Sequence, residues 1–171
     1  DPNATQAELQ KALDAIKLAK AGLVKAVTPP PAAVVPAVGR TVDVNGVTYK
    51  VTRSAAINGT AAAVKLVNKK KTKITIPATV KIDGFTFKVT AVSAKVFQKS
   101  KKIKAVVIGS NVTSIGKAAF YKCGRLSSVT FKGSKAPKLG KNAFRGTASK
   151  MKLTVSKKMK KKNLNKFKSA L

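Results

Sequence analysis

Few side chains in this sequence could do chemistry. Cys123 is the single cysteine, and the chain holds no histidine to activate it; a nucleophilic thiolate needs an exposed, electropositive site with such a partner. Ser114 and Lys117 stand at the SxxK spacing of the serine nucleophile and lysine of penicillin-recognising enzymes, but the SDN and KTG strings that complete that chemistry are both missing. Asp43 and Asp83 each adjoin a glycine-containing turn, where Asp is expected for backbone reasons rather than as half of a carboxylate pair. GSKAPKLGK, residues 133–141, looks like a phosphate-gripping loop yet misses the GxxxxGK[ST] spacing and reads as an ordinary loop. One cysteine and no histidine leave neither a CxxC pair nor an intrachain disulfide, and they argue against a metal site. No catalytic residue, metal or cofactor is expected.

Charge is the stronger signal. Lysine and arginine total 36 against 5 acids, a formal net charge of +31, and no acid follows Asp83. A chain of this kind attracts polyanions, so nucleic acid, anionic membrane, acidic glycan and wall phosphate all enter as partners. Nucleic acid is disfavoured by the small supply of aromatics for base stacking, 7 Phe and 2 Tyr. No apolar run approaches the roughly 20 residues that a membrane-crossing helix needs. The chain starts at Asp1 without Met or a signal sequence, which reads as an excised or processed piece and says nothing direct about export.

The elements that would carry these charges fall into four segments. In residues 1–27, Leu9, Ala12, Ile16, Ala19, Leu23 and Ala26 alternate spacings of three and four and draw an apolar stripe down one helix, with Thr5 and Glu8 as a capping box. Residues 28–39 hold four prolines and no charge, a stiff extended linker. From residue 40 the period becomes two: TVDVNGVTYKV (41–51) and KIDGFTFKVT (81–90) are hairpins around Asn45-Gly46 and Asp83-Gly84, with strand-like runs Ala61–Val67 and Lys73–Ile76 between them. Residues 156–171 can form a short Lys-rich capping helix with Ser156 as its N-cap.

Sliding the chain along itself exposes a repeat. Ile103, Val106 and Ile108 recur 23 residues on as Leu126, Val129 and Phe131, and Val89, Val92 and Phe97 recur as Val112, Ile115 and Phe120. A shift of 24 then carries Ile115, Gly116, Ala119 and Phe120 to Leu139, Gly140, Ala143 and Phe144. Each unit supplies one strand, a turn at Gly and one helical turn whose Ala and Phe point inward; stacked units share a core that one unit alone cannot bury. The third unit lacks the Cys, which leaves its strand register around Met151, Leu153 and Val155 open.

The pattern LxxVxF followed by VxxIGxxAFxxC, most specific in TSIGKAAFYKCGRLSSVTF and ITIPATVKIDGFTFKVTAV, resembles the BspA-type leucine-rich repeat of bacterial surface proteins. The resemblance covers residues 74–155 and, through the hairpins, reaches back to about 41. Residues 4–27 resemble the last helix of FIVAR-like modules of Gram-positive surface proteins, and equally a helix from any bundle. The repeat resemblance implies a short solenoid, mainly β with short helical turns, entered through β-hairpins across residues 40–155 and flanked by the two helices. It also implies a core position for Cys123 and a secreted, surface or wall-associated protein used for binding or adhesion.

Within that frame the 23-residue shift carries Lys99 to Lys122 and Arg145, and Lys102 to Arg125, which predicts basic rows along one edge of the solenoid. An anionic wall polymer or acidic glycan held by these five residues is the leading expectation. Recognition of a host or partner protein through the strand face at Ala105, Val107, Ser128 and Thr130 is the alternative, and nucleic-acid binding a third.

Overall fold

A computed structural model describes residues 34–159. The chain divides into two units, Asp1–Val34 and Val35–Leu171. Among the described residues eleven strands lie in the second: β1 (Thr41–Val44), β2 (Val47–Arg53), β3 (Thr60–Leu66), β4 (Lys73–Ile76), β5 (Thr79–Ile82), β6 (Phe85–Val92), β7 (Ala105–Ile108), β8 (Ser114–Ile115), β9 (Ser128–Phe131), β10 (Lys138–Leu139) and β11 (Lys152–Val155). The expected helices at residues 4–27 and beyond Met159 fall outside the described residues.

The two hairpins close as their turn residues demand. Asn45 and Gly46 take φ of 54° and 81°, Asp83 and Gly84 take 48° and 85°, the paired left-handed geometry that lets a two-residue loop match strand twist. β1 and β2 meet at Val44 opposite Val47, and β5 and β6 at Ile82 opposite Phe85. β6 then changes partner along its length. Phe85–Lys88 pair antiparallel with β5, whereas Ala91 and Val92 pair parallel with β8. That switch is where the hairpins hand over to the repeats.

The repeats stack as rungs. β4, β7, β9 and β11 form one parallel sheet, and β6, β8 and β10 continue the sheet that β1, β2 and β3 begin. The period of two decides what faces in: Ile74, Ile76, Val106, Ile108, Val129 and Phe131 are buried, while Ala105, Val107, Ser128 and Thr130 alternate with them on the outside. Leu153 lies opposite Val129 and Val155 opposite Phe131, which settles the register of the last strand. Phe97, Phe120 and Phe144 stack through the core at 4.9 Å per step, within about 10° of parallel. Where β8 leads into the turn, a Cβ on Gly116 would lie 2.5 Å from the Ala94 amide nitrogen of the preceding rung. The rungs approach too closely there for any side chain.

The expectation of helical turns is overturned: no described residue is helical. Backbone hydrogen bonds explain why. In the turn of the second rung, Ala119, Tyr121 and Cys123 donate to residues three back, but Ala118, Phe120 and Lys122 donate to Lys141, Ala143 and Arg145 of the next rung. Alternate amides therefore point along the stack, which an α-helix, with every amide bonded inside itself, cannot do. Positive φ at Lys95, Lys99, Ala118, Lys122 and Asn142 produces the alternation. Ser156–Met159, the expected start of the 156–171 capping helix, forms a turn and no helix, with Lys158 N–H donating to Ser156 Oγ at 3.3 Å.

Candidate polyanion-binding face

The turns that follow β6, β8 and β10 form an outer face of the solenoid, and their register is fixed by the stacked phenylalanines. Counting outward from Phe97, Phe120 and Phe144, the matching positions are Lys99, Lys122 and Gly146, all three with positive φ of 58°, 56° and 76°. Lys99 and Lys122 are therefore stacked neighbours one rung apart, and both are exposed. Gly146 ends that column; a Cβ there would lie 3.3 Å from Lys122 Cα. Arg145 belongs one column away, level with Tyr121 and Gln98, so the expected row of Lys99, Lys122 and Arg145 becomes a pair with Arg145 beside it. The cause is one extra residue in the loop between β9 and β10, 132–137, relative to that between β7 and β8, 109–113. Lys102 and Arg125 do occupy one column, and both are exposed.

A further basic column escaped the sequence reading. Lys117 and Lys141 stack one rung apart, and the Lys95 amide donates to the Lys117 carbonyl at 3.0 Å, placing Lys95 beside them. The signal was present in the sequence as a shift of 24 from Lys117 to Lys141, the same shift that carries Phe120 to Phe144. All three side chains are exposed.

The electrostatics of the face are one-signed. Among the described residues Asp43 and Asp83 are the acids, and both sit in the hairpins. Asp83 is held by Arg40 in a two-pronged pair, Nε to Oδ2 at 2.9 Å and Nη2 to Oδ1 at 3.2 Å; Asp43 accepts from the Thr48 hydroxyl. Lys122 Nζ lies 5.5 Å from the centre of the Tyr121 ring. No carboxylate among the described residues reaches the turn lysines.

The groups with reactive spelling take structural places. Cys123 is fully buried, donates its thiol to the Phe97 carbonyl at 2.9 Å, and so ties two rungs together. Burial pushes its pKa up, opposed in part by a backbone hydrogen bond from Ser100, the reverse of what a nucleophile needs. Ser114 lies in β8, paired with Ala91 and Lys138, while Lys117 is exposed on the turn. GSKAPKLGK supplies the loop before β10 and β10 itself. Ala105, Val107, Ser128 and Thr130 share the outer side of the parallel sheet; Thr75, Val107, Thr130 and Thr154 form one straight column across it. Among the described residues no cluster of three or more metal-ligating side chains occurs, and no helix is long and apolar enough to cross a membrane.

Comparison with known proteins agrees with this architecture. Residues 90–170 match the family model described as the BspA type leucine rich repeat region. No curated protein matches the chain. The crystal structure of a leucine rich cell surface protein from Faecalibacterium prausnitzii is similar at 30% identity and a TM-score of 0.54, over 68% of this chain and 30% of that one. A leucine-rich repeat protein from Bacteroides capillosus is 22% identical with a TM-score of 0.49, over 67% of this chain and 97% of that one. The chain thus spans under a third of the length of the Faecalibacterium protein. With rungs stacked as the sequence repeat requires and the family pattern present in them, the repeat region of this chain belongs to the BspA-type leucine-rich-repeat family.

Proposed function

We propose that the chain is a non-catalytic surface-binding module, displayed outside the cell, whose turn face attaches to an anionic wall polymer or acidic glycan. The observation that carries this reading is alignment: Lys99 over Lys122, Lys102 over Arg125 and Lys117 over Lys141, at rung spacing and facing no carboxylate. Parallel strands lie about 4.7–4.9 Å apart, so a flexible polyanion laid along the stack meets a positive charge at each step and neutralises several together. Such binding releases condensed counterions and falls steeply with salt.

A second reading rests on the strand face. Ala105, Val107, Ser128 and Thr130, continued by Thr75 and Thr154, make an uncharged strip flanked by Lys73 and Lys152 at the two ends of the Ala105–Ser128 row, which suits a protein partner docking by shape. The two readings part in one experiment. Full-length chain is mixed with purified wall polymer, with a matrix protein and with DNA at about 0.15 M salt, where exposed charge pairs are already well screened. Retention on wall polymer that survives Val107→Glu/Thr130→Glu but not Lys117→Gln/Lys122→Gln/Lys141→Gln supports the turn face. The opposite pattern moves the function to the strand face.

A further inference from the structure

Beside the turn face, at the leading end of the solenoid, lies a cleft of about 500 Å³ that shares Lys99 and Lys102 with the attachment reading but is otherwise lined by residues that reading does not use. Its walls come from distant parts of the chain: the loop after β3 supplies Lys69 and Lys70, and the first turn supplies Lys99, Lys101 and Lys102. Apolar surface comes from Leu66 at the end of β3, from Val96 and Phe97 on the turn and from the stems of the lysines. We propose that this cleft is a binding site for a small amphiphilic anion, a carboxylate, sulfate or phosphate group carried on a compact apolar body.

Size, chemistry and rigidity carry the inference together. The volume falls in the range of small-molecule sites, which are concave, largely apolar and given orientation by a few polar groups. Here every charged lining group is cationic, and Asp43 and Asp83 are not among the lining residues. Five lysines among ten lining residues favour an anion over a cation. The apolar wall gains nothing from a bare anion, which would leave it facing water, and it favours an anion that brings a hydrocarbon or ring surface. Both walls are fixed in advance. Val67 and Asn68 donate to the Gly46 carbonyl at 2.9 and 3.1 Å, and Asn68 Oδ1 accepts from the Lys70 amide at 3.0 Å. The opposite wall is tied down by Ser100 N–H to the Phe97 carbonyl at 3.2 Å and Lys99 N–H to the Tyr121 carbonyl at 2.8 Å. Pre-organised walls reduce the ordering cost of binding.

Lys69 and Lys70 line the cleft and lie off the turn columns, whereas Lys117 and Lys141 lie on the columns and do not line the cleft. That separation makes the proposal testable apart from polymer attachment. The probes are 8-anilinonaphthalene-1-sulfonate, the same body without its sulfonate (N-phenyl-1-naphthylamine), and inorganic sulfate, each titrated into the full chain by fluorescence or calorimetry. One-to-one binding of the sulfonate is expected, with each of the other probes at least roughly tenfold weaker. Lys69→Gln/Lys70→Gln should weaken the sulfonate roughly tenfold, the effect of removing two partly exposed ion pairs. Lys117→Gln/Lys141→Gln should leave it unchanged, and Ser100→Trp, which fills the cleft, should abolish it. Equal losses in the two lysine pairs would reduce the result to general charge attraction and overturn the proposal. So would naphthylamine binding as tightly as the sulfonate, or full sulfonate binding by a folded Ser100→Trp protein. The lysine pairs decide the matter if that variant does not fold, since all four side chains are exposed. An unaltered chain that binds the sulfonate but no wall polymer would sink the attachment reading and leave this one standing.

Discussion

Phe120 is the middle ring of the core stack, fully buried between Phe97 and Phe144 with ring centres 4.9 Å away on each side. Replacing it with Ala removes its buried surface and opens a void that the neighbouring rungs cannot close, because their spacing is held by the ladders of both sheets and by the turn hydrogen bonds. Truncating a buried Phe costs about 3–5 kcal/mol. Each aromatic pair adds about 0.5–1.5 kcal/mol beyond burial, and Phe120 loses two, which places it at the upper end of that range. Among the described residues Phe144 has one ring neighbour, so Phe144→Ala should cost about 1 kcal/mol less by the same pair energy. Tyr121, one residue on, is only partly buried and lies outside the stack; Tyr121→Ala should cost about 1 kcal/mol or less. Urea unfolding of the three variants, compared at equal m-value, measures the order. Matching midpoints for Phe120→Ala and Tyr121→Ala would refute the register on which the fold and the charge columns both depend.

The Tyr49 hydroxyl is fully buried without a hydrogen-bond partner among the described residues, so Tyr49→Phe should stabilise the protein by about 1–2 kcal/mol at neutral pH. Burial raises the Tyr49 pKa above its ordinary 10.0 because the phenolate is denied solvent; the unfolded chain then ionises before the folded one, so stability is level below that value and falls as pH rises from it toward the higher folded value, and Tyr49→Phe should flatten the alkaline loss in thermal melts from pH 8 to about 11. Cys123 should react slowly with a thiol reagent in the native protein and fast in denaturant, and rapid native labelling would contradict its core position. At the positive φ of Lys122, Gly should beat Ala: Lys122→Gly should unfold at higher urea than Lys122→Ala by about 0.5–1 kcal/mol, the left-handed strain relieved less the added chain entropy.

Much of the fold was legible because its signals are local. Asn45-Gly46 and Asp83-Gly84 name their turn type, since so few residue pairs tolerate two positive φ angles in succession, and β4 is the predicted run Lys73–Ile76 itself. The inward Phe97, Phe120 and Phe144 stood out by recurrence. The turns around them misled because an apolar spacing of three or four residues fits a helix and also fits a rung turn whose alternate amides bond along the stack. Only φ separates the two, and Lys95, Lys99 and Lys122 are residue types that give no hint of a left-handed backbone. Arg145 was placed one column out because a single added residue in the 132–137 loop changes the shift from 23 to 24. The cleft was invisible in sequence, as Lys69 and Lys102 come together only through the pairing of β3 with β6 and β4 with β7.

The central claim is that stacking turns scattered lysines into a face for polyanions. It is tested most directly by the salt dependence of binding to purified poly(glycerol phosphate). Lys99, Lys102, Lys117, Lys122 and Lys141 are changed to Gln in one protein, and the exposed but dispersed Lys50, Arg53, Lys65, Lys73 and Lys81 in another, so both lose the same charge. The account predicts a steep linear fall of log affinity with log salt for the unaltered chain, a much shallower slope for the first variant and a nearly unchanged slope for the second. Equal slopes in the two variants would contradict it, because total charge, not the register of the rungs, would then be what binds.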